Sequence, residues 1–172
     1  MNQIQWVKYT VLSLTMLALS SCAAAPQSGP EPSPSATASS SPSVVTLQEI
    51  AYGKSFGFCV GYCEHHLSIT AERMRLEHTS RDPKAYPEKV IEKPTPAETW
   101  QKLNRLASLK TLQELPERVG CPDCADGGAE WIELQQDEIS KRVTFEPPAG
   151  LPQQAELLEE LRKLYGELDP AE

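Results

Sequence analysis

The sequence predicts an α+β domain: a small antiparallel sheet built from a first strand and two hairpins, packed against two helices. Three observations predict it. Apolar residues alternate with polar ones in two pairs of short segments, Leu67/Ile69 with Met74/Leu76 and Ile132/Leu134 with Ile139, Val143 and Phe145, which is the period of strands that bury one face. Leu157, Leu158, Leu161, Leu164, Tyr165 and Leu168 then recur at helical spacing along one stripe. The roughly 125 residues from Val44 to Leu168 are the size of one domain with one core.

The chain ahead of that domain has a different character. Residues 1–21 carry one early positive charge, Lys8, followed by the apolar run Val11 to Leu19, which is short for a membrane span and has the form of a signal segment. Leu19-Ser20-Ser21-Cys22 resembles the lipobox of bacterial lipoproteins, an aliphatic residue and two small ones ahead of a cysteine. The resemblance implies that Cys22 is acylated on sulfur, palmitate being a typical chain, becomes the mature N-terminus and anchors the protein to a lipid bilayer. Each buried CH₂ contributes about 0.8 kcal/mol, so several chains on one cysteine hold a protein to the membrane durably. Residues 22–43 comprise that cysteine and a stretch rich in Ala, Pro and Ser with a single charge, Glu31. It lacks the apolar side chains that offset chain entropy and reads as a tether with a reach of up to about 65 Å at roughly 3 Å per residue.

From Val44 the elements follow in order. Val44 to Tyr52 is β-rich and reads as the first strand, ending at Gly53. The stretch Ser55-Phe56-Gly57-Phe58-Cys59-Val60-Gly61-Tyr62-Cys63 then sets two cysteines among aromatics and glycines. The first hairpin turns at Ala71-Glu72-Arg73. Residues 79–96 hold Pro83, Pro87, Pro94 and Pro96 and are expected to form an irregular connection. Thr95-Pro96-Ala97-Glu98 supplies a capping threonine, a proline at the first helical position and a glutamate three residues after the cap. Trp100, Leu103, Leu106 and Ala107 then make one buried face. A short helical turn over 111–115 ends at Pro116. The second hairpin turns at Asp137-Glu138, and Pro152 opens the last helix.

Charge narrows the range of partners. With 16 basic and 24 acidic residues the chain carries −8, one unit more negative once Lys8 leaves with the signal. An acidic surface with no basic run repels nucleic acid and favours solubility, so nucleic acid is excluded as a partner. No G-x-S-x-G, H-E-x-x-H or phosphate loop occurs, and the acidic residues form no paired acid/base arrangement. The expectation is a non-enzymatic domain without a cofactor. Trp100, Trp131 and the aromatics around Cys59 are read as core, and His78 as a lone histidine at a strand end.

Four cysteines carry what chemistry there is. Past a lipoprotein-like signal the domain folds outside the cytoplasm, where an even number of cysteines forms disulfides. Three connectivities are open for Cys59, Cys63, Cys121 and Cys124. Linking the two knots across about 60 residues would contribute roughly 4 kcal/mol of loop-closure entropy, against about 2 for a loop of four or five. Local closure is also feasible, because Gly61 allows the sharp turn that brings Cys59 and Cys63 within bridging distance. Two short-spaced pairs are also the ligand pattern of a tetrathiolate zinc site at Cys59, Cys63, Cys121 and Cys124, with His65 or His66 as substitute ligands. Cys121-Pro122-Asp123-Cys124 has, besides, the C-x-x-C form of a thiol–disulfide redox couple, although it follows a helix and leads into a strand, the reverse of the thioredoxin arrangement.

The run Cys59-Val60-Gly61-Tyr62-Cys63 with the hairpin after it resembles an uncharacterised family of small bacterial exported domains marked by Cys-x-Gly-x-Cys ahead of a β-hairpin. The resemblance implies an α+β fold over about residues 44–168 and no particular activity. It also implies local pairing, Cys59 with Cys63 and Cys121 with Cys124, because a hallmark pair that lacks the second knot must close on itself. This chain departs from the pattern in carrying Glu72-Arg73 where the family has an Asp-Gly turn, and in the added Cys121/Cys124 pair. The expectation that results is a lipoprotein of the bacterial cell envelope displaying a disulfide-stapled binding or structural domain, with another envelope protein as the expected class of partner.

Overall fold

A computed structural model describes residues 46–147 and 149–170 of the protein. The signal segment, Cys22, the tether, and Val44 and Val45 of the expected first strand lie outside the described residues.

Strand β1 (Glu49–Ser55) is the centre of a seven-stranded sheet, because both hairpins pair with it. On one side it runs antiparallel to β2 (Tyr62–Ile69), which turns into β3 (Arg73–Ser80). On its other side it runs antiparallel to β6 (Ala129–Gln136), which turns at Asp137 into β7 (Ile139–Phe145). The register places Ile50 between Ile69 and Leu134, and Tyr52 between Leu67 and Ile132. The alternating positions seen in the sequence therefore line up across five strands into one apolar face, where Ile50, Leu67, Ile69, Leu76, Ile132, Leu134, Val143 and Phe145 are fully buried. On the opposite face Gly53 is needed where it stands: a Cβ there would lie 2.0 Å from a ring carbon of Trp131, whose indole covers the glycine.

Each edge adds a strand that the sequence did not signal. The expected irregular connection over 79–96 instead contains β4 (Lys89–Pro94), antiparallel to β3 with Ile91 opposite Leu76 and Pro94 opposite Arg73. Prolines suggested a loop, but Pro94 sits at the end of an edge strand, where a missing N–H costs no ladder bond to a further neighbour. At the other edge, β5 (Arg118–Val119) pairs parallel with β7 and is too short to show any alternation. The strand order is β4-β3-β2-β1-β6-β7-β5.

Helices cover the apolar face. Helix α1 (Ala97–Leu106) starts one residue later than the sequence suggests: Pro96 is the N-cap, and Thr95 makes no capping bond. The Thr95 N–H donates instead to the Glu72 carbonyl at 3.1 Å, tying the helix entry to the first hairpin turn. Leu103 enters the core, with Trp100 and Leu106 packed at its margin. Helix α2 (Leu109–Gln113) is capped by Ser108, whose hydroxyl accepts from the Thr111 N–H at 3.2 Å. A single 3₁₀ turn over Pro152–Gln154 leads into α3 (Ala155–Leu168), which buries all six residues of the predicted stripe.

Leu161 is fully enclosed in this interface. Replacing it with Ala removes buried methyl groups and leaves a cavity, so L161A is expected to lose about 2–5 kcal/mol in urea unfolding. A loss below about half a kcal/mol would mean that α3 does not hold the sheet.

Candidate functional site: the cysteine-loop end of the sheet

The pairing of β1 with both β2 and β6 has a local result. Ser55, the last residue of β1, lies opposite Glu64 on one side and Ala129 on the other, so the loop before β2 and the loop before β6 emerge side by side. They touch: a Cβ on Gly57 would come within 3.0 Å of the Asp126 Cα, and one on Gly128 within 2.5 Å of the Ser55 carbonyl oxygen. Two cysteine knots separated by about 60 residues of sequence thus share one end of the sheet.

Each knot closes on itself. Cys59 is bonded to Cys63 with a Cα–Cα distance of 5.6 Å, and Cys121 to Cys124 with 5.5 Å. Gly61, at φ +101°, makes the reversal that the first pair requires. The Phe56 N–H donates to the Cys63 carbonyl at 3.0 Å, the Tyr62 hydroxyl donates to the Pro87 carbonyl at 2.9 Å, and Arg81 reaches the Phe56 carbonyl at 3.4 Å. Chain entropy favoured a bridge between the knots, but each pair is closed locally.

The two bridges differ in their surroundings. Cys63 begins on the buried face of β2 and is 2 % exposed. Cys121 and Cys124 are both exposed on the loop between β5 and β6. That loop bends through three non-glycine residues with positive φ, Asp123 at 64°, Ala125 at 50° and Asp126 at 57°. Aspartates tolerate this region, whereas Ala125 has no polar side chain to compensate and costs about 1 kcal/mol. The motif opens a three-residue 3₁₀ turn rather than a helix, so it lacks the helix N-terminus that lowers a thiol pKa in redox catalysts.

Aromatics around Cys59 do not belong to the core, contrary to the sequence-based expectation. Phe58 is 87 % and Val60 84 % exposed at the tip of the loop, and Phe56 is 39 % exposed at its base. The bridge shapes the tip at Val60, and the Phe56 N–H and carbonyl are held by the Cys63 carbonyl and Arg81 at the base. A shallow cleft of about 240 Å³ lies beside them, lined by Cys59, Val60, Gly61, Cys63, Arg81 and Tyr86.

Beneath the loop the sheet carries a row of polar residues on its otherwise apolar face. His65 and His78 are cross-strand partners, 1 % and 2 % exposed, with ring centroids 4.1 Å apart. The Tyr62 carbonyl, 3.2 Å from His65 Nε2, can only accept, so Nε2 carries the proton and Nδ1 accepts from the Tyr165 hydroxyl at 2.5 Å. His78 Nε2 lies 3.2 Å from Asp169 Oδ2, which also takes the Lys89 ammonium at 2.9 Å. His78 is therefore not a lone residue, as its sequence position suggested, but one end of a network that docks the end of α3 onto β2 and β3. Lys54 caps the Tyr165 ring at 4.1 Å, and Phe56 meets His65 edge-on at 5.5 Å. Both imidazoles are sealed from solvent and support the base of the loop, while Tyr165 and Asp169 also line an open cleft with Lys54 and Phe56.

Among the described residues, no three His, Cys, Asp or Glu side chains converge where a metal ion would fit. The tetrathiolate alternative is replaced by two local pairs. His65 and His66 face opposite sides of the sheet, as successive residues of a strand must, and cannot serve one centre. His66 stands on the open face 3.6 Å from Glu77, with Glu133 nearby bonded to Ser140 and Arg142. Those bonds hold the Glu133 carboxyl below its ordinary range against the opposing effect of burial.

Two disulfides are the chemistry of an oxidising compartment, and among the described residues no helix is long and apolar enough to cross a membrane. No protein-family model matches the chain, and no curated protein matches it. The roles of these residues therefore rest on their geometry.

Burial, followed by the nearby Arg142 charge, lowers the His66 pKa below its ordinary value of 6.5. The unfolded chain then binds a proton at that site before the folded one does, so stability falls as pH drops below about 6.5 and continues to fall through the lower folded value. Urea midpoints for the protein and for H66Q across pH 7.5 to 5 are expected to diverge, with H66Q losing less on acidification; parallel profiles would count against it.

Proposed function

We propose that the protein is a lipid-anchored lipoprotein of the bacterial envelope, displaying a disulfide-stapled, non-enzymatic domain that binds another envelope protein through the loop from Phe56 to Tyr62. The observation that carries this reading is the exposure of Phe58 and Val60 on a loop clamped at both ends. A large aromatic held in solvent costs apolar hydration in the free protein, and a rigid loop loses little freedom when it inserts into a partner, which is how protein interfaces are anchored. The acidic chain disfavours anionic lipid headgroups as the surface met by the loop. The likeness to exported Cys-x-Gly-x-Cys domains, the lipobox-like Leu19 to Cys22 and the Pro-rich tether support display at a distance from a membrane.

Two measurements test the two halves of the proposal. C22S is expected to move the protein from the membrane to the soluble fraction while its unfolding transition is unchanged; continued sedimentation with membranes would exclude acylation as the anchor. A photo-crosslinking residue in place of Phe58, in cells, is expected to yield a discrete adduct with one protein. The same residue in place of Ile139, exposed at the far end of the sheet, should yield none. Adducts to lipid, or equal yields at both positions, would refute a protein-binding loop.

A further inference from the structure

We infer that Cys121–Cys124 is a thiol–disulfide exchange site, opened by an external dithiol while the domain stays folded, and that Cys59–Cys63 is the structural bridge. The inference goes beyond the binding role of the apolar loop and does not depend on it.

Exchange requires a thiolate to approach a sulfur along the S–S axis, so access decides which bridge reacts. Cys63 is enclosed at the start of β2, whereas Cys121 and Cys124 both stand on an exposed loop. Opening also leaves the rest of the domain in place. The loop lies outside the ladders of β6 and β7, and its ends are held independently by the Asp123 N–H to the Gly128 carbonyl at 2.8 Å and by Arg118 to the Pro122 carbonyl at 3.1 Å.

The charge around the bridge specifies the reagent. The Cys121 N–H donates to the Glu146 carboxylate at 3.1 Å, and Asp123 and Asp126 lie within the loop. Arg118 stands beside them, bonded to the Pro122 carbonyl. Net negative charge repels an anionic thiol and draws a cationic one, so the matching donor is a dithiol whose reactive sulfur sits in neutral or basic surroundings. The step balances as follows. The donor thiolate bonds to one sulfur of the pair, the Cys121–Cys124 bond breaks, and the other cysteine leaves as thiolate and takes a proton. The second donor thiol then resolves the mixed disulfide. Two electrons and two protons pass to the pair, and the donor becomes a disulfide.

The test uses the oxidised full-length protein in graded dithiothreitol, quenched by alkylation, with each cysteine pair followed by peptide mass spectrometry and the fold by circular dichroism. Cys121 and Cys124 are expected to become alkylated at least ten times faster than Cys59 and Cys63, before any loss of signal from the fold. Joint reduction of both bridges, earlier reduction of Cys59–Cys63, or resistance of Cys121–Cys124 until unfolding would each overturn the assignment. In a second arm, cysteamine is expected to open the bridge several-fold faster than glutathione at equal thiolate concentration, with the gap closing in high salt. Equal rates at low salt would refute the charge selectivity.

Discussion

The structure depends on one constraint, the simultaneous pairing of β1 with β2 and β6. β1 contributes seven residues, but it fixes the register of two hairpins that are not paired with each other in the sheet. Because side chains alternate strictly along a strand, that register decides which residues enter the core: a shift by one position would turn Ile50 and Tyr52 out to the open face and bring Ala51 and Gly53 in. The Trp131 indole over Gly53 works against such a slip, since no residue with a side chain fits beneath it.

The same pairing produces the candidate site. Loops that are far apart in sequence become neighbours because they adjoin the same end of β1. Their bridges are local, so neither disulfide joins the two hairpins; that work falls to the sheet and to α3. The end of α3 is fastened by polar contacts where the apolar face runs out. At that edge His65, His78, Tyr165, Asp169 and Lys89 replace the leucines and isoleucines used elsewhere, each polar group lying against a named neighbour. The network gives the base of the Phe56 loop a fixed support, which a purely apolar contact would leave free to slide.

A rigid loop with outward-facing Phe58 and Val60 and an adjacent solvent-exposed bridge make this end chemically distinct from the rest of the surface. The open face of the sheet is populated instead by paired charges such as Glu133 with Arg142 and Arg75 with Glu92. Such pairs on an exposed face contribute little to stability and keep it soluble. Exposed apolar side chains and an exposed disulfide are thus found together where the two cysteine loops meet.

Much of the fold could be read from the chain because it depends on local periodicity. The two hairpins, the Asp137 turn and all six buried positions of α3 follow from alternation by two or recurrence near 3.6, properties of contiguous residues. β4 and β5 could not be read that way: one was hidden by its prolines and the other by its length, and both exist only because a neighbouring strand offers an open edge. The cap at Pro96 instead of Thr95 has a similar origin, since the Thr95 N–H is claimed by Glu72 from another element. The cysteines marked the site, but the outward position of Phe58, the partners of His78 and the contact between the two loops rest on pairings across the sheet. Composition and spacing specify which residues can bury a face. Only the tertiary register determines which of them meet, because contacts between distant segments follow from geometry that no local pattern encodes.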